Sequence, residues 1–172
     1  MRLKNFSQNA VQIIANEPKI LKDLDHKYIV KLYETREVSG VLFQFMESLP
    51  GGDLRKYLSN RIKASRPFTE EEVRSITKQI LKAVKYLHND VGLIHRDIKP
   101  DNILLQDTSG SLKGICVKLA DFGLATYKVK YGFRGGITGA AGTRLYMAPE
   151  MFFDDEYHKK IDIWAIGCII YN

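Results

Sequence analysis

The sequence predicts an α+β fold in which an antiparallel hairpin precedes a mostly helical region. Three observations lead to this prediction. Residues 29–46 contain two runs rich in β-branched and aromatic side chains, a pattern typical of a hairpin. Residues 70–88 place apolar side chains on one face of a long amphipathic helix. Short strand-like runs at 103–106 and 115–120 then form a second strand pair.

The first element is a helix predicted over residues 7–25, where apolar residues recur at near-helical spacing. Pro18 lies inside this pattern, and an interior proline removes a backbone hydrogen bond at a cost of ~3 kcal/mol. Two alternatives follow from that cost. Either the helix kinks at Pro18, or its stable part begins with Asn16 as the N-cap.

The hairpin and a linker follow this helix. Residues 29–35 and 41–46 are the predicted strands, with a Ser-Gly pair in the connection between them. Residues 49–52, Leu-Pro-Gly-Gly, end the strand pattern and indicate a linker. A short helix is expected over residues 53–59, directly after the linker.

The long helix at 70–88 has the clearest boundaries. Thr69 and Glu72 have the spacing of a capping box, in which each side chain bonds the other residue's backbone N–H. Gly92 ends the connection that follows the helix. Residues 122–148 contain six glycines and are expected to form a mobile surface segment. Residues 162–171 are almost wholly apolar and predict a buried helix.

Composition excludes several classes of protein. The chain has 172 residues, 45% of them hydrophobic and 27% charged, which is ordinary for a soluble globular protein. No apolar stretch is long enough to cross a membrane, and the first residues lack the apolar core of a secretion signal. The net charge of +6 is scattered among acidic residues, so nucleic-acid binding is not expected. Cys116 and Cys168 lack metal-ligand spacing, which favours buried reduced thiols and a cytoplasmic protein.

The chemistry is concentrated in the octapeptide His95–Asn102 and in the Asp-Phe-Gly sequence that begins at Asp121. Phosphoryl transfer needs a positioned hydroxyl, metal ions on the phosphates and a nearby cation. Asp97 suits the base that orients the hydroxyl, and Lys99 can reach the transferred group. Asn102 and Asp121 offer the oxygen ligands that Mg²⁺ prefers. Either short motif alone is common on protein surfaces, but the ordered set is not.

These motifs resemble those of eukaryotic-type serine/threonine protein kinases. Residues 142–150, ending in Ala-Pro-Glu, are similar to the family's substrate-docking loop, and residues 162–167 to the start of its central helix. The resemblance implies a truncated bilobal fold, with ATP and Mg²⁺ as cofactors and a protein serine or threonine hydroxyl as acceptor. It divides the chain into an N-lobe remnant (1–48), a hinge (49–53) and the first part of a C-lobe (54–172).

The resemblance also implies roles for individual residues. Glu17 would pair with a strand lysine, Met46 would be the gatekeeper, and Leu104 the apolar floor under the adenine. The backbones of Glu47 and Leu49 would meet the adenine edge, and Asp53 the ribose. Thr143 would hydrogen-bond Asp97 and Lys99. A regulatory spine would comprise Leu21, Leu32, His95 and Phe122.

Regulation is implied by Arg96, which adjoins Asp97 as in kinases that are switched by phosphorylation of a loop. An upstream kinase acting on Thr138 would add a phosphate that arginine can bind.

The sequence departs from the family at its N-terminal side. No glycine-rich loop precedes the motifs, and Lys4, thirteen residues before Glu17, is the one candidate for the strand lysine. The prediction is therefore an incomplete kinase domain that is poorly stable alone. The alternative function is a pseudokinase-like scaffold that binds protein partners without turnover, while a small-molecule kinase is disfavoured by the docking loop.

Overall fold

The computed structural model describes residues 8–107, 115–127, 142–153 and 157–171. The helices of these ranges are α1 (Gln8–Lys22), α2 (Leu54–Lys63), α3 (Glu70–Lys85), α4 (Glu150–Phe153) and α5 (Lys160–Tyr171). The strands are β1 (Leu32–Val38), β2 (Val41–Met46), β3 (Leu93–Ile94), β4 (Ile103–Leu105), β5 (Val117–Leu119) and β6 (Thr126–Tyr127). Each strand belongs to a two-stranded antiparallel sheet, in the pairs β1–β2, β3–β6 and β4–β5. The predicted α+β class is confirmed.

Helix α1 continues through Pro18, so a helix that starts only at Asn16 is wrong. The residues that follow the proline explain why the helix tolerates it. Ile20, Leu21 and Leu24 are all buried in the core. Burying a large aliphatic side chain contributes about 1.5–3 kcal/mol, so three of them offset the cost of one interior proline.

The hairpin has the predicted partners but a different first boundary. Ser39 and Gly40 have φ values of 52° and 71°, which match the twist that a two-residue hairpin turn requires. Strand β1 begins at Leu32, three residues later than predicted, because Ile29 pairs with a different strand. Ile29 forms a parallel bridge with Leu119 of β5, and the N–H of Val30 donates to the carbonyl of Leu119 at 3.0 Å.

Helix α3 begins as predicted and ends three residues earlier. The capping box is present in full, with the N–H of Thr69 donating to Glu72 Oε2 at 2.7 Å and the N–H of Glu72 donating to Thr69 Oγ1 at 3.2 Å. Glu72 also accepts from Arg61 of α2 at 3.1 Å, which ties the two helices together. After Lys85 the chain continues as a π-helical turn, Tyr86–Val91, which Gly92 closes with φ 75°.

Two predictions about burial need correction. Helix α5 buries only one face, through Ile161, Asp162, Ala165 and Ile166, whereas Trp164 is half exposed. The segment 122–148 was expected at the surface, but Phe122, Tyr146, Met147 and Ala148 are buried because they pack against the core. Residues 128–141 of that segment lie outside the described residues.

Two further findings concern the cysteines and the lengths of the helices. Cys116 and Cys168 are half-buried and form no disulfide with each other, whereas the sequence predicted fully buried thiols. Among the described residues, every helix is too short or too polar to cross a bilayer.

The core lies beneath the octapeptide loop and reaches every element that positions it. Its largest fully buried aliphatic side chains come from α1, the π-helical turn, strands β3 to β5 and the loop itself, and include Leu21, Leu87, Leu93, Ile98, Ile103, Leu105 and Leu119. The loop therefore rests on a continuous apolar base.

Candidate active site

The octapeptide loop is anchored from below by a buried carboxylate. Asp162 of α5 is fully buried and accepts hydrogen bonds from the backbone N–H of His95 at 3.0 Å and of Arg96 at 2.9 Å. Its Oδ2 also lies 2.7 Å from Nε2 of the buried His88. Sequence reasoning missed both residues, although a lone acid inside an apolar run is a signal, because buried carboxylates are rare unless paired.

The ring of His95 fixes the other side of the loop. It is fully buried, with Nε2 3.1 Å from the carbonyl oxygen of Ala120 and its ring centroid 4.8 Å from that of Phe122. Burial lowers the pKa of His95, against the raising effects of Asp162 and of the hydrogen bond to Ala120.

Arg96 adopts a backbone conformation that favours glycine, with φ 71°. Its guanidinium is held in place, since Nε donates to the carbonyl of Leu124 and NH1 donates to the Tyr157 hydroxyl at 3.0 Å. Such conformations persist where the surroundings impose them, and they are frequent at functional sites. Arg96 directly precedes Asp97, so the contacts that hold Arg96 also help to fix the position of the Asp97 side chain.

Asp97 is the centre of the site and is almost fully buried. Lys99 Nζ lies 2.6 Å from its Oδ2, and Asn102 Nδ2 donates to the same oxygen at 3.1 Å. The N–H of Thr143 donates to Oδ1 at 3.1 Å. Four of the five predicted catalytic residues thus meet at one carboxylate. The expected contact between Thr143 and Lys99 stays a prediction.

Asp121, the fifth, is joined to this group through the backbone. The N–H of Ala120 donates to the carbonyl of Asn102 at 2.9 Å, which holds the residue before Asp121 against the loop. Asp121 is exposed and has φ 61°, and its Oδ1 accepts from the N–H of Gly123 at 3.4 Å. Asp121 is therefore exposed, whereas Ala120 and Asn102, which position it, are buried.

The types of donor atom suit a magnesium ion. Asn102 uses Nδ2 to donate to the backbone oxygen and to Oδ2 of Asp97, so its Oδ1 is the atom left to act as a ligand. With Asp121 this makes two protein oxygen donors. Mg²⁺ typically takes one or two protein oxygens and completes its octahedron with phosphates and water.

Glu17 lies next to the Asp-Phe-Gly sequence. Its Oε1 accepts from the N–H of Phe122 at 3.2 Å. Burial raises the pKa of the Glu17 carboxyl, and the negative charge of Asp121 raises it further. Its predicted lysine partner is not tested, because Lys4 lies outside the described residues.

The predicted adenine pocket involves residues with other roles as well. Met46, Leu49 and Leu104 are half-buried and pack against the core. The N–H of Glu47 already donates to the carbonyl of Lys31 at 2.8 Å, so only its carbonyl could meet a base.

Asp53, predicted to bind ribose, acts as the N-cap of α2. Its Oδ1 accepts from the N–H of Lys56 at 2.8 Å, and its Oδ2 lies 3.3 Å from Lys56 Nζ. A ribose contact would have to share this carboxylate with the cap.

Three of the four predicted spine residues are buried together in the core. Leu21, His95 and Phe122 are almost fully shielded, while Leu32 is half-buried at the edge of the same cluster. Core packing accounts for their burial, and a regulatory role stays a prediction. Thr138 lies outside the described residues.

Gly51 lets the turn at 49–52 lie against β4. A Cβ at this position would lie 2.6 Å from the carbonyl oxygen of Leu105 and 2.8 Å from its Cβ, which is too close for any side chain. We expect Gly51→Ala to cost about 1–3 kcal/mol of stability, as overpacking does, and to weaken nucleotide binding beside Leu49. Urea denaturation and binding of a fluorescent ATP analogue measure the two effects.

The matched control is Gly167→Ala in α5, where an added Cβ meets nothing within 4 Å. This helical position should gain up to about 1 kcal/mol. Equal stability of the Gly51→Ala variant and the wild type would show that the turn does not need its close approach to β4.

Comparisons with known proteins found one family model and several relatives. A family model described as the protein kinase domain matches residues 1–172. Human serine/threonine-protein kinase ULK1 is 39% identical over 172 positions, which cover 98% of this chain and 16% of the relative. A probable myosin light chain kinase of Dictyostelium discoideum is 41% identical over 155 positions, 90% of this chain and 30% of the relative. Calcium/calmodulin-dependent protein kinase type 1 of Caenorhabditis briggsae is 36% identical over 158 positions, 92% of this chain and 41% of the relative. The chain spans less than half the length of each of these relatives.

Proposed function

The chain belongs to the protein kinase domain family, and from this premise we propose that it transfers the γ-phosphoryl group of Mg-ATP to a serine or threonine hydroxyl of a protein. The observation that carries the proposal is the convergence of Lys99, Asn102 and Thr143 on Asp97. A carboxylate held by three donors has a fixed direction, and positioning is the main contribution of a protein to phosphoryl transfer.

In this mechanism Asp97 accepts a hydrogen bond from the acceptor hydroxyl and orients its oxygen toward the γ-phosphorus. The hydroxyl proton passes to the Asp97 carboxylate as the new P–O bond forms and the bond to the leaving oxygen of ADP breaks. Lys99 lies within 2.6 Å of Asp97 and supplies positive charge beside the transferred group. Thr143 holds the second oxygen of Asp97 through its backbone.

Asn102 Oδ1 and the Asp121 carboxylate would hold Mg²⁺. When bound there, the ion would supply positive charge that offsets the charge developing on the phosphates. The bond from the N–H of Ala120 to Asn102 supports this assignment, because it couples the two ligand-bearing segments. Hydrogen bonds made to metal-ligating residues orient those ligands, and their loss typically lowers metal affinity.

For the adenine we propose a site between Met46, Leu49 and Leu104, with the Glu47 carbonyl and the Leu49 backbone at its polar edge. The half-buried positions of the three apolar side chains support this proposal. Residues 49–53 would then be the hinge between the hairpin side and the helical side of the domain. This division stays a prediction, as does control by an upstream kinase through Thr138.

A scaffold without turnover is the second candidate, and it depends on whether Glu17 has its cation. Oε1 of Glu17 accepts from the backbone N–H of Phe122, and the candidate lysine partner, Lys4, lies outside the described residues. A kinase lacking this pair would lose one pre-organised cation, at a cost of about 3–4 kcal/mol in the transition state.

Transfer from γ-labelled ATP to a mixed set of serine- and threonine-containing peptides separates the two candidates. The kinase proposal predicts Mg²⁺-dependent incorporation of label. Peptide binding without incorporation would favour the scaffold.

A further inference from the structure

A three-residue junction lies beside the candidate active site and has no role in the mechanism above. Arg55, in the first turn of α2, places Nε 2.6 Å from Asp101 Oδ1 and donates from NH2 to the Tyr146 hydroxyl at 3.3 Å. Asp101 lies in the loop between Lys99 and Asn102, and Tyr146 follows Thr143 by three residues. The junction therefore connects α2 to both segments that contact Asp97.

This junction is accessible to an approaching polypeptide. The side chains of Arg55 and Asp101 remain 45% and 42% exposed. Tyr146 also lines a small cavity together with Asp97 and Thr143, so the junction lies next to the predicted catalytic carboxylate. An exposed ion pair adds little to stability. Its main consequence is the charge that it presents to a bound substrate.

The ion pair between Arg55 and Asp101 neutralises one negative charge on this surface. Hydrogen bonding from Arg55 holds the pKa of Asp101 below its ordinary value, so Asp101 is ionised and its charge is balanced by the guanidinium. Two other acids near the site are balanced in the same way. Asp97 is paired with Lys99 at 2.6 Å, and Asp53 with Lys56 at 3.3 Å.

Two exposed basic side chains lie close in sequence to members of the junction. Arg144 is exposed in the turn that contains Tyr146, and Lys56, which follows Arg55 and pairs with Asp53, is 80% exposed. An arginine or lysine of a substrate would thus meet paired carboxylates and additional positive charge. Repulsion between like charges at an interface excludes an unsuitable partner and so contributes to specificity.

We propose that Arg55 is a specificity-determining residue that neutralises Asp101 and so directs the site toward substrate segments with neutral or acidic, not basic, side chains beside the acceptor hydroxyl. This inference rests on the proposed kinase function, because it names the substrate class of that same site.

The test uses serine peptides that differ at a single flanking position, taken in turn, where glutamine, glutamate or arginine is placed. Binding to the 172-residue chain is measured by fluorescence anisotropy at low salt. At one position or more the wild type should bind the arginine peptide about fivefold more weakly than the glutamine peptide, the effect of one exposed charge pair. Arg55→Gln should reverse this order, because it leaves Asp101 free to accept the peptide arginine.

Three further variants test whether the change in peptide preference depends on the charges of Arg55 and Asp101. Arg55→Lys keeps the positive charge and should keep the wild-type preference. Arg74→Gln removes an equal charge from the exposed pair that Arg74 forms with Glu70 at 2.7 Å on α3, and should change nothing. Arg55→Gln combined with Asp101→Asn should bind the arginine and glutamine peptides equally.

The outcomes also separate this inference from the proposed function. Asp97→Asn, which should not transfer phosphate, should show the same peptide preference as the wild type. Preference without any turnover in the wild type would leave the inference standing and remove the kinase proposal. An arginine preference in the wild type, an equal shift for all peptides in Arg55→Gln, or no binding of any peptide would overturn the inference.

Discussion

Replacing Asp97 by asparagine is expected to lower the rate of phosphoryl transfer by about 10²–10⁴-fold, the usual contribution of a positioned general base. The amide is the same size as the carboxylate, but its single oxygen can accept either from Lys99 or from the N–H of Thr143, which bond different oxygens of Asp97. It also cannot accept the hydroxyl proton. Initial rates with γ-labelled ATP and a serine peptide measure the loss, and affinity for ATP should change little because Asp97 contacts the hydroxyl.

The control for this variant is Glu70→Gln, which removes an exposed carboxylate at the start of α3. Its rate should equal that of the wild type. A loss of the same size in both variants would point to general damage to the domain. Full activity in Asp97→Asn would show that the base is elsewhere.

The second large effect is expected on stability, from Asp162→Ala. The change leaves the buried N–H groups of His95 and Arg96 and the ring of His88 without their shared acceptor. Removing one member of such a buried network costs about 3–5 kcal/mol, a large part of the 5–15 kcal/mol that typically stabilises a domain. Urea denaturation measures the difference in the free energy of unfolding.

A matched acid on the surface calibrates that result. Asp25 is 87% exposed and pairs with Lys31 at 3.4 Å, so Asp25→Ala should change stability by less than about 1 kcal/mol. His88→Ala should lie between the two, because it removes only one of the three partners of Asp162. Equal stability of Asp162→Ala and Asp25→Ala would mean that the loop does not depend on its anchor.

Sequence reasoning predicted the parts of the site that are close along the chain. Asp97, Lys99 and Asn102 lie within six residues, so one turn of loop brings their side chains together. The capping box at Thr69 and Glu72 was predictable for the same reason, since it is a local backbone pattern. The resemblance to a known family supplied Thr143, which is distant in sequence.

Other features depend on tertiary contacts that no local pattern contains. Asp162 lies 67 residues after His95, and its pairing with the loop backbone required the packing of α5 to be known. Asp53 shows a different difficulty, because an aspartate before a helix suits both an N-cap and a ribose ligand. The late start of β1 has a similar cause, since Ile29 has strand-like character but pairs with β5.

The proposed convergence of Asn102 and Asp121 on a metal-bound triphosphate is tested most directly by the dependence of ATP affinity on Mg²⁺. We predict that Mg²⁺ tightens binding of a fluorescent ATP analogue to the wild type, and that Asp121→Asn loses at least about tenfold of that gain. Binding without Mg²⁺ should not weaken in the variant, since one negative charge near the phosphates is gone. An undiminished effect of Mg²⁺ in Asp121→Asn would contradict the account.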